Sequence, residues 1–105
     1  MAFPMSAQLL DACVLAIASG GDTYGYELTQ QIKRGFEVSE STLYPVLRRL
    51  LNGALLDVYD QPFQGRNRRY YRITPMGQER LKEYQMEWAA FRTAIDAILL
   101  GGDEV

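Results

Sequence analysis

Apolar residues recur at helical spacing in four stretches of this chain and alternate in two shorter ones. Leu10, Cys13, Val14 and Ile17 share one face of a first helix that Ser6 caps and that runs to about Ser19, where Gly20-Gly21-Asp22 stops it. A second helix is expected over about Tyr24 to Arg34, with Thr23 or Asp22 as its cap and Leu28 and Ile32 turned inward. Gly35 closes it, as glycine commonly does just past a helix end. Gly25 lowers helicity and is expected where a neighbouring backbone comes close.

The third helix starts near Ser39 to Thr42 and stops at Asn52-Gly53. Leu43, Leu47, Leu50, Leu51 and Ala54 fall on one face, and Ser41, Pro45, Arg48, Arg49 and Asn52 on the other. Pro45 belongs in a first turn, where its missing N–H costs nothing. Either the helix therefore starts later than Ser39 or its first turn is irregular. Two strands follow, Leu55 to Gln61 and Arg68 to Ile73, with Pro62 and Gly65 marking the turn region. Tyr71 and Ile73 lie on one side of the second strand. Thr74-Pro75 is a cap residue followed by proline at the first helical position, and the fourth helix runs from there to about Leu100, on the order of 39 Å. Three helices, a hairpin and a long helix make a mainly α fold with a small β-hairpin. The order is that of a winged helix-turn-helix over residues 1–74, with a C-terminal dimerisation helix over 75–105 packed with the same compact unit.

The last helix carries a column of apolar residues, Leu81, Tyr84, Trp88, Phe91, Ile95 and Ile98, spaced 3, 4, 3, 4, 3. That is the pattern of a coiled-coil seam. Packing on the first helix of the same chain is one way to cover it. A helix of this length outreaches a small domain, however, and would leave Trp88 and Phe91 in water, so a homodimer is the expectation. Two-fold symmetry then presents two copies of the third helix to a palindromic site.

Composition narrows the function. At 105 residues there is room for one compact domain, and a hydrophobic share of 48 % suits a globular one. No apolar run approaches a membrane span, and the first residues lack the basic start and apolar core of a signal peptide, so a cytoplasmic protein is expected. Cys13 is the single cysteine, which excludes a disulfide within the chain, and is expected as a small core residue. The absence of histidine removes the commonest metal ligand and general base. No metal, cofactor or enzymatic activity is expected.

The net charge of −2 conceals an asymmetry. Lys33 to Arg72 holds eight basic and four acidic residues, whereas Pro75 onward holds three basic and six acidic ones. Local field matters more than the total for binding a polyanion. An amphipathic helix with Arg48 and Arg49 on its polar face, beside a hairpin bearing Arg66, Arg68 and Arg69, is suited to gripping double-stranded DNA.

The residues Tyr24-Gly25-Tyr26-Glu27-Leu28, the run Ser41 to Leu50 and the run Gly65 to Gly77 give the chain a resemblance to PadR-family transcriptional regulators over roughly residues 8 to 100. The single C-terminal helix resembles the short subgroup of that family, which dimerises through this helix and includes sensors of drugs. The resemblance implies an operator-binding repressor released by an effector or signal.

Several residues carry two readings. Arg48 and Arg49 reach guanine edges or phosphate, or they form a solvated face. Ser41 and Thr42 bond phosphate or base at the helix N-terminus, or they cap it. Tyr44 contacts phosphate, as similar residues of the family do, or packs with its hydroxyl at the surface. Arg66, Arg68 and Arg69 suit the minor groove or its phosphates, or they pair with Asp57 and Asp60 across the hairpin, Arg72 first among those lost this way. Lys33 and Arg34 contact phosphate or complement the helix dipole. Trp88 is an interface anchor or, with Phe91, lines a flat apolar cleft for a small aromatic effector, as the resemblance implies. Arg92 lies one turn beyond Trp88, and facing that cleft it would favour an anionic aromatic. The alternative from another class is a winged-helix protein-interaction module that does not bind DNA.

Overall fold

The computed structural model describes Phe3 and residues 5–101. Four α-helices and a three-stranded antiparallel sheet follow in the order α1 (Ala7–Ser19), β1 (Thr23–Tyr24), α2 (Gly25–Lys33), α3 (Glu40–Asn52), β2 (Leu56–Phe63), β3 (Arg66–Ile73) and α4 (Pro75–Leu99). The sheet order is β1-β3-β2.

Ser6 caps α1 by accepting from the Leu9 amide at 3.1 Å. The buried stripe of α1 is Leu10, Val14, Leu15 and Ala18. It is centred one position further round than the apolar pattern suggests, so Cys13 and Ile17 are half-buried on its flank. Cys13 is thus not a fully buried core residue, although burial still raises its thiol pKa.

β1 is an addition to the expected elements. Thr23 and Tyr24 pair with Tyr71 and Tyr70 and extend the hairpin into a sheet. Two residues are too few to generate a readable alternation, and they sit where a helix start was expected. Neither Asp22 nor Thr23 caps α2; Tyr24 occupies the cap position without a side-chain bond. Thr23 is buried and its hydroxyl donates to Glu27 Oε1 at 2.9 Å. Leu28 and Ile32 are buried as expected.

α3 begins at Glu40, and Ser39 caps it by accepting from the Thr42 amide. Its first turn is regular, with Thr42 and Leu43 amides donating to the Ser39 carbonyl at 3.1 and 3.2 Å. Pro45 therefore lies inside the helix, and the helix continues through it. The missing N–H falls on the exposed face, where water can take the place of the lost donor. The buried stripe is Leu43, Val46, Leu47 and Leu50, with Leu51 half-buried. Ala54 is not part of it. This residue follows the helix end, adopts φ 62° and is exposed.

Both strands are longer than the apolar pattern suggests. Pro62 is in β2, opposite Asn67. β2 is a sheet edge, where a missing donor is tolerated. The turn is Gln64-Gly65, with φ of 51° and 83°. Two consecutive positive φ values define the tight two-residue hairpin that matches strand twist.

Thr74 fastens α4 to the end of α3. Its hydroxyl accepts from the Gly77 amide at 2.9 Å and donates to the Ala54 carbonyl at 2.7 Å. The close-approach glycine is Gly77 and not Gly25, beside which a Cβ would meet nothing within 4 Å. A Cβ on Gly77 would lie 2.2 Å from the Leu55 carbonyl oxygen and 2.8 Å from Ile73 Cγ1. Leu81 is buried in the core formed by α1, α2, α3 and the sheet, and Tyr84 packs on its edge. Beyond them α4 projects, and Trp88, Phe91 and Ile98 are 44 %, 59 % and 77 % exposed.

Gly77→Ala is expected to lower the free energy of unfolding by about 1–3 kcal/mol or more, because the clash is with backbone that has no rotamer to change. Gly25→Ala is expected to leave stability within about 1 kcal/mol of the unsubstituted chain. Urea denaturation of the two variants checks both.

Candidate nucleic-acid interface

Because α3 buries Leu43, Val46, Leu47 and Leu50, its opposite face must look outward. Ser41, Thr42, Tyr44, Pro45, Arg48, Arg49 and Asn52 are all exposed there. At the N-terminal end the hydroxyls form a cluster, with Ser39 Oγ 2.9 Å from Ser41 Oγ and 3.1 Å from Thr42 Oγ1. Ser39 thus joins the two hydroxyl residues expected from sequence, and the cluster sits where helix N–H groups attract anions.

The two arginines of α3 are not equivalent. Among the described residues Arg48 has no carboxylate within ion-pair distance. Arg49 is gripped by Asp11 of α1, with Nη2 donating to Oδ1 and Nε to Oδ2 at 3.3 Å. The hydrogen bonds it donates to Asp11, and then the charge of that carboxylate, raise the Arg49 pKa above its ordinary value. Asp11 stands 38 positions before Arg49 and gave no motif to find it by.

The wing arginines also divide, and strand alternation decides how. Tyr71 of β3 is buried, so Arg69 and Asn67 point to the same side of the sheet as the core. Burial raises the Tyr71 pKa, and the charge of Arg69 opposes the rise. Arg69 therefore lies on the side of the sheet that packs against the helices.

Arg66, Arg68, Tyr70 and Arg72 alternate onto the other side of β3. There Tyr70 stacks on Tyr59 at 5.6 Å and meets Tyr24 edge-on at 5.5 Å. The Arg68 guanidinium lies 3.5 Å from the Phe63 ring centroid and 3.9 Å from that of Tyr24. Tyr59 donates to Asp22, and that bond is the main reason its pKa rises. Arg68 is thus held between two rings on the side of β3 opposite Tyr71. Arg69 pairs with Asp60 at 3.4 Å and Arg72 approaches Asp57 at 4.0 Å. Both pairs are solvent-exposed and hold their arginines weakly. Arg66, at the tip, has no ion pair or ring partner among the described residues.

α1 and α4 enclose a groove of about 360 Å³, lined by Leu9, Ala12, Tyr84, Glu87, Trp88 and Phe91 among others. The Trp88 and Phe91 rings are 6.0 Å apart. Arg92 does not line this groove; it reaches along α4 towards Asp96 at 3.9 Å, and the charged lining residue is Glu87. Helical geometry explains the difference, since Phe91 and Arg92 fall on opposite flanks of Trp88 around the helix axis and the groove lies on the Phe91 side. Lys33 and Arg34 end α2, and Lys33 lies in its last turn, where a cation complements the helix dipole.

A helix-turn-helix whose second helix leaves a basic, hydroxyl-rich face uncovered, flanked by an arginine-tipped hairpin, defines a winged-helix DNA-binding regulator. Residues 14–83 match the transcriptional regulator PadR-like family. The chain is 42 % identical over 71 residues to a transcriptional regulator of Mycobacterium tuberculosis, covering 67 % of this chain and 66 % of that one. Among solved structures, a Streptococcus mutans protein superposes with a TM-score of 0.90 at 40 % identity, over 100 % of this chain and 99 % of the other. A PadR-like transcriptional regulator of Bacillus cereus superposes with a TM-score of 0.81 at 36 % identity, over 91 % and 95 %. The chain belongs to the PadR-like family of transcriptional regulators. Among the described residues no helix is long and apolar enough to cross a membrane.

Proposed function

We propose that this regulator is a homodimeric repressor that binds a palindromic operator. α3 enters the major groove and the hairpin tip follows the adjoining backbone or minor groove. The observation that carries this reading is the uncovered face of α3, which presents the Ser39, Ser41 and Thr42 hydroxyls together with Arg48, unpaired among the described residues. Arg48 reads a base edge, while Ser41, Thr42 and Tyr44 position the helix on phosphate. Arg66 supplies the wing contact and Arg69 joins it by exchanging Asp60 for a phosphate. Arg49 and Arg68 stay with their partners inside the protein.

Dimerisation is supported by the exposed apolar strip on α4, Trp88, Phe91 and Ile98, continued by Leu99 and Leu100 at 64 % and 76 % exposure. A strip of that extent needs a cover in water. Ile95 lies within it, whereas Leu81 and Tyr84 of the expected seam are engaged by their own chain. The groove between α1 and α4 adjoins the strip and takes a flat aromatic effector. Glu87 on its wall favours a cationic aromatic over an anionic one. Such a ligand releases DNA only if it prefers one spacing of the two α3 helices.

The competing reading is a protein-interaction module, and the arginines absorbed by Asp11, Asp57 and Asp60 favour it. Salt dependence separates the two. Operator affinity is expected to fall steeply with salt. Arg48→Ala is expected to cost about 1–3 kcal/mol, and Arg66→Ala to reduce the salt slope by about one, while Arg68→Ala leaves that slope unchanged. Fluorescence anisotropy across a salt series checks this, and affinity that persists at high salt contradicts it. Trp88 is the sole tryptophan, so effector binding is read directly. Cationic planar aromatics are expected to quench it saturably and anionic ones to do so weakly; no saturable quenching by either group contradicts the effector reading.

A further inference from the structure

Arg49 and Asp11 join the proposed reading helix to α1 through a two-pronged contact. Asp11 is the more enclosed partner, its side chain 13 % exposed against 48 % for Arg49. The fork of N–H groups that Asp11 occupies is the same fork an arginine offers to a guanine edge or a phosphate. An arginine held this way does not make either contact without first giving up its carboxylate. The pair spans α1 and α3. Arg48, the preceding residue, has no such restraint.

We propose that Asp11 is a specificity-determining residue that withholds Arg49 from the duplex. The proposal rests on the reading of α3 as the helix that contacts DNA. An additional free arginine beside Arg48 would add a phosphate contact, which strengthens binding to every sequence alike. Sequestering it lowers that sequence-independent affinity and leaves Arg48 to discriminate. The pair is already formed in the free protein, so holding Arg49 back requires no ordering when DNA arrives. The same contact braces α3 against α1 and fixes the direction in which Arg48 projects.

The test measures binding of the full chain to a fixed duplex of mixed sequence over a salt series, for the unsubstituted protein, Asp11→Asn, Arg49→Gln, the double variant and Asp96→Asn. Asp96→Asn removes one negative charge on α4 and controls for net charge. Circular dichroism verifies that each variant is folded. Asp11→Asn is expected to steepen the slope of log affinity against log salt by about one, the signature of one added phosphate contact. Arg49→Gln, the double variant and Asp96→Asn are expected to keep the unsubstituted slope. A shallower slope for Arg49→Gln would show that Arg49 already contacts phosphate and would overturn the proposal. An unchanged slope for Asp11→Asn, or an equal steepening by Asp96→Asn, would also overturn it while leaving DNA binding by α3 intact. Should Asp11→Asn fail to fold, the Arg49→Gln slope decides alone. Absence of salt-dependent binding in every protein, the unsubstituted one included, removes the reading of α3 and this proposal with it.

Discussion

The packing of one stripe of α3 governs the rest of the molecule. Leu43, Val46, Leu47 and Leu50 are buried with Leu15, Leu28 and Leu56 in a single cluster. A helix that commits one face so fully has no freedom to rotate, because a turn of one residue would bring polar side chains into the core and leucines into water. The outward direction of Arg48 and of the Ser39, Ser41 and Thr42 hydroxyls follows from leucines on the opposite side. The face that meets DNA in this account is set by what the protein hides.

Charge is distributed by the same economy of contacts. The chain is net negative, yet its basic residues concentrate between α2 and the end of the sheet. Folding then sorts them. Asp11 takes Arg49, two rings take Arg68, and weak exposed pairs restrain Arg69 and Arg72. Among the described residues Lys33, Arg34, Arg48 and Arg66 have no such partner, Arg48 lying on α3 and Arg66 at the hairpin tip. A count of arginines therefore overstates the basic surface.

Most of the fold was legible because it is periodic. The leucines of α3, the Thr74-Pro75 start of α4 and the apolar column along α4 each repeat often enough to identify an element and its face. What was not legible is either short or distant in sequence. β1 has only two residues, and its partner Tyr71 lies 48 positions after Thr23. Gly77 has no room for a Cβ because of the Leu55 carbonyl opposite it, which no local pattern encodes. Arg49 and Arg68 were expected in the interface from their places on the polar face of α3 and on the hairpin, and their contacts with Asp11, Tyr24 and Phe63 arise only through tertiary structure. Arg92 was linked to the groove by its nearness to Trp88 along the helix, and the angle around the helix axis turned it towards Asp96.

The central claim is that two copies of this chain present two α3 helices to one symmetric stretch of DNA. Selection of bound duplexes from a random pool tests it most directly. The account predicts enrichment of an inverted repeat whose half-site centres lie about one helical turn apart, roughly 34–36 Å. Recovery of a single unrepeated element, or no enrichment at all, would contradict it.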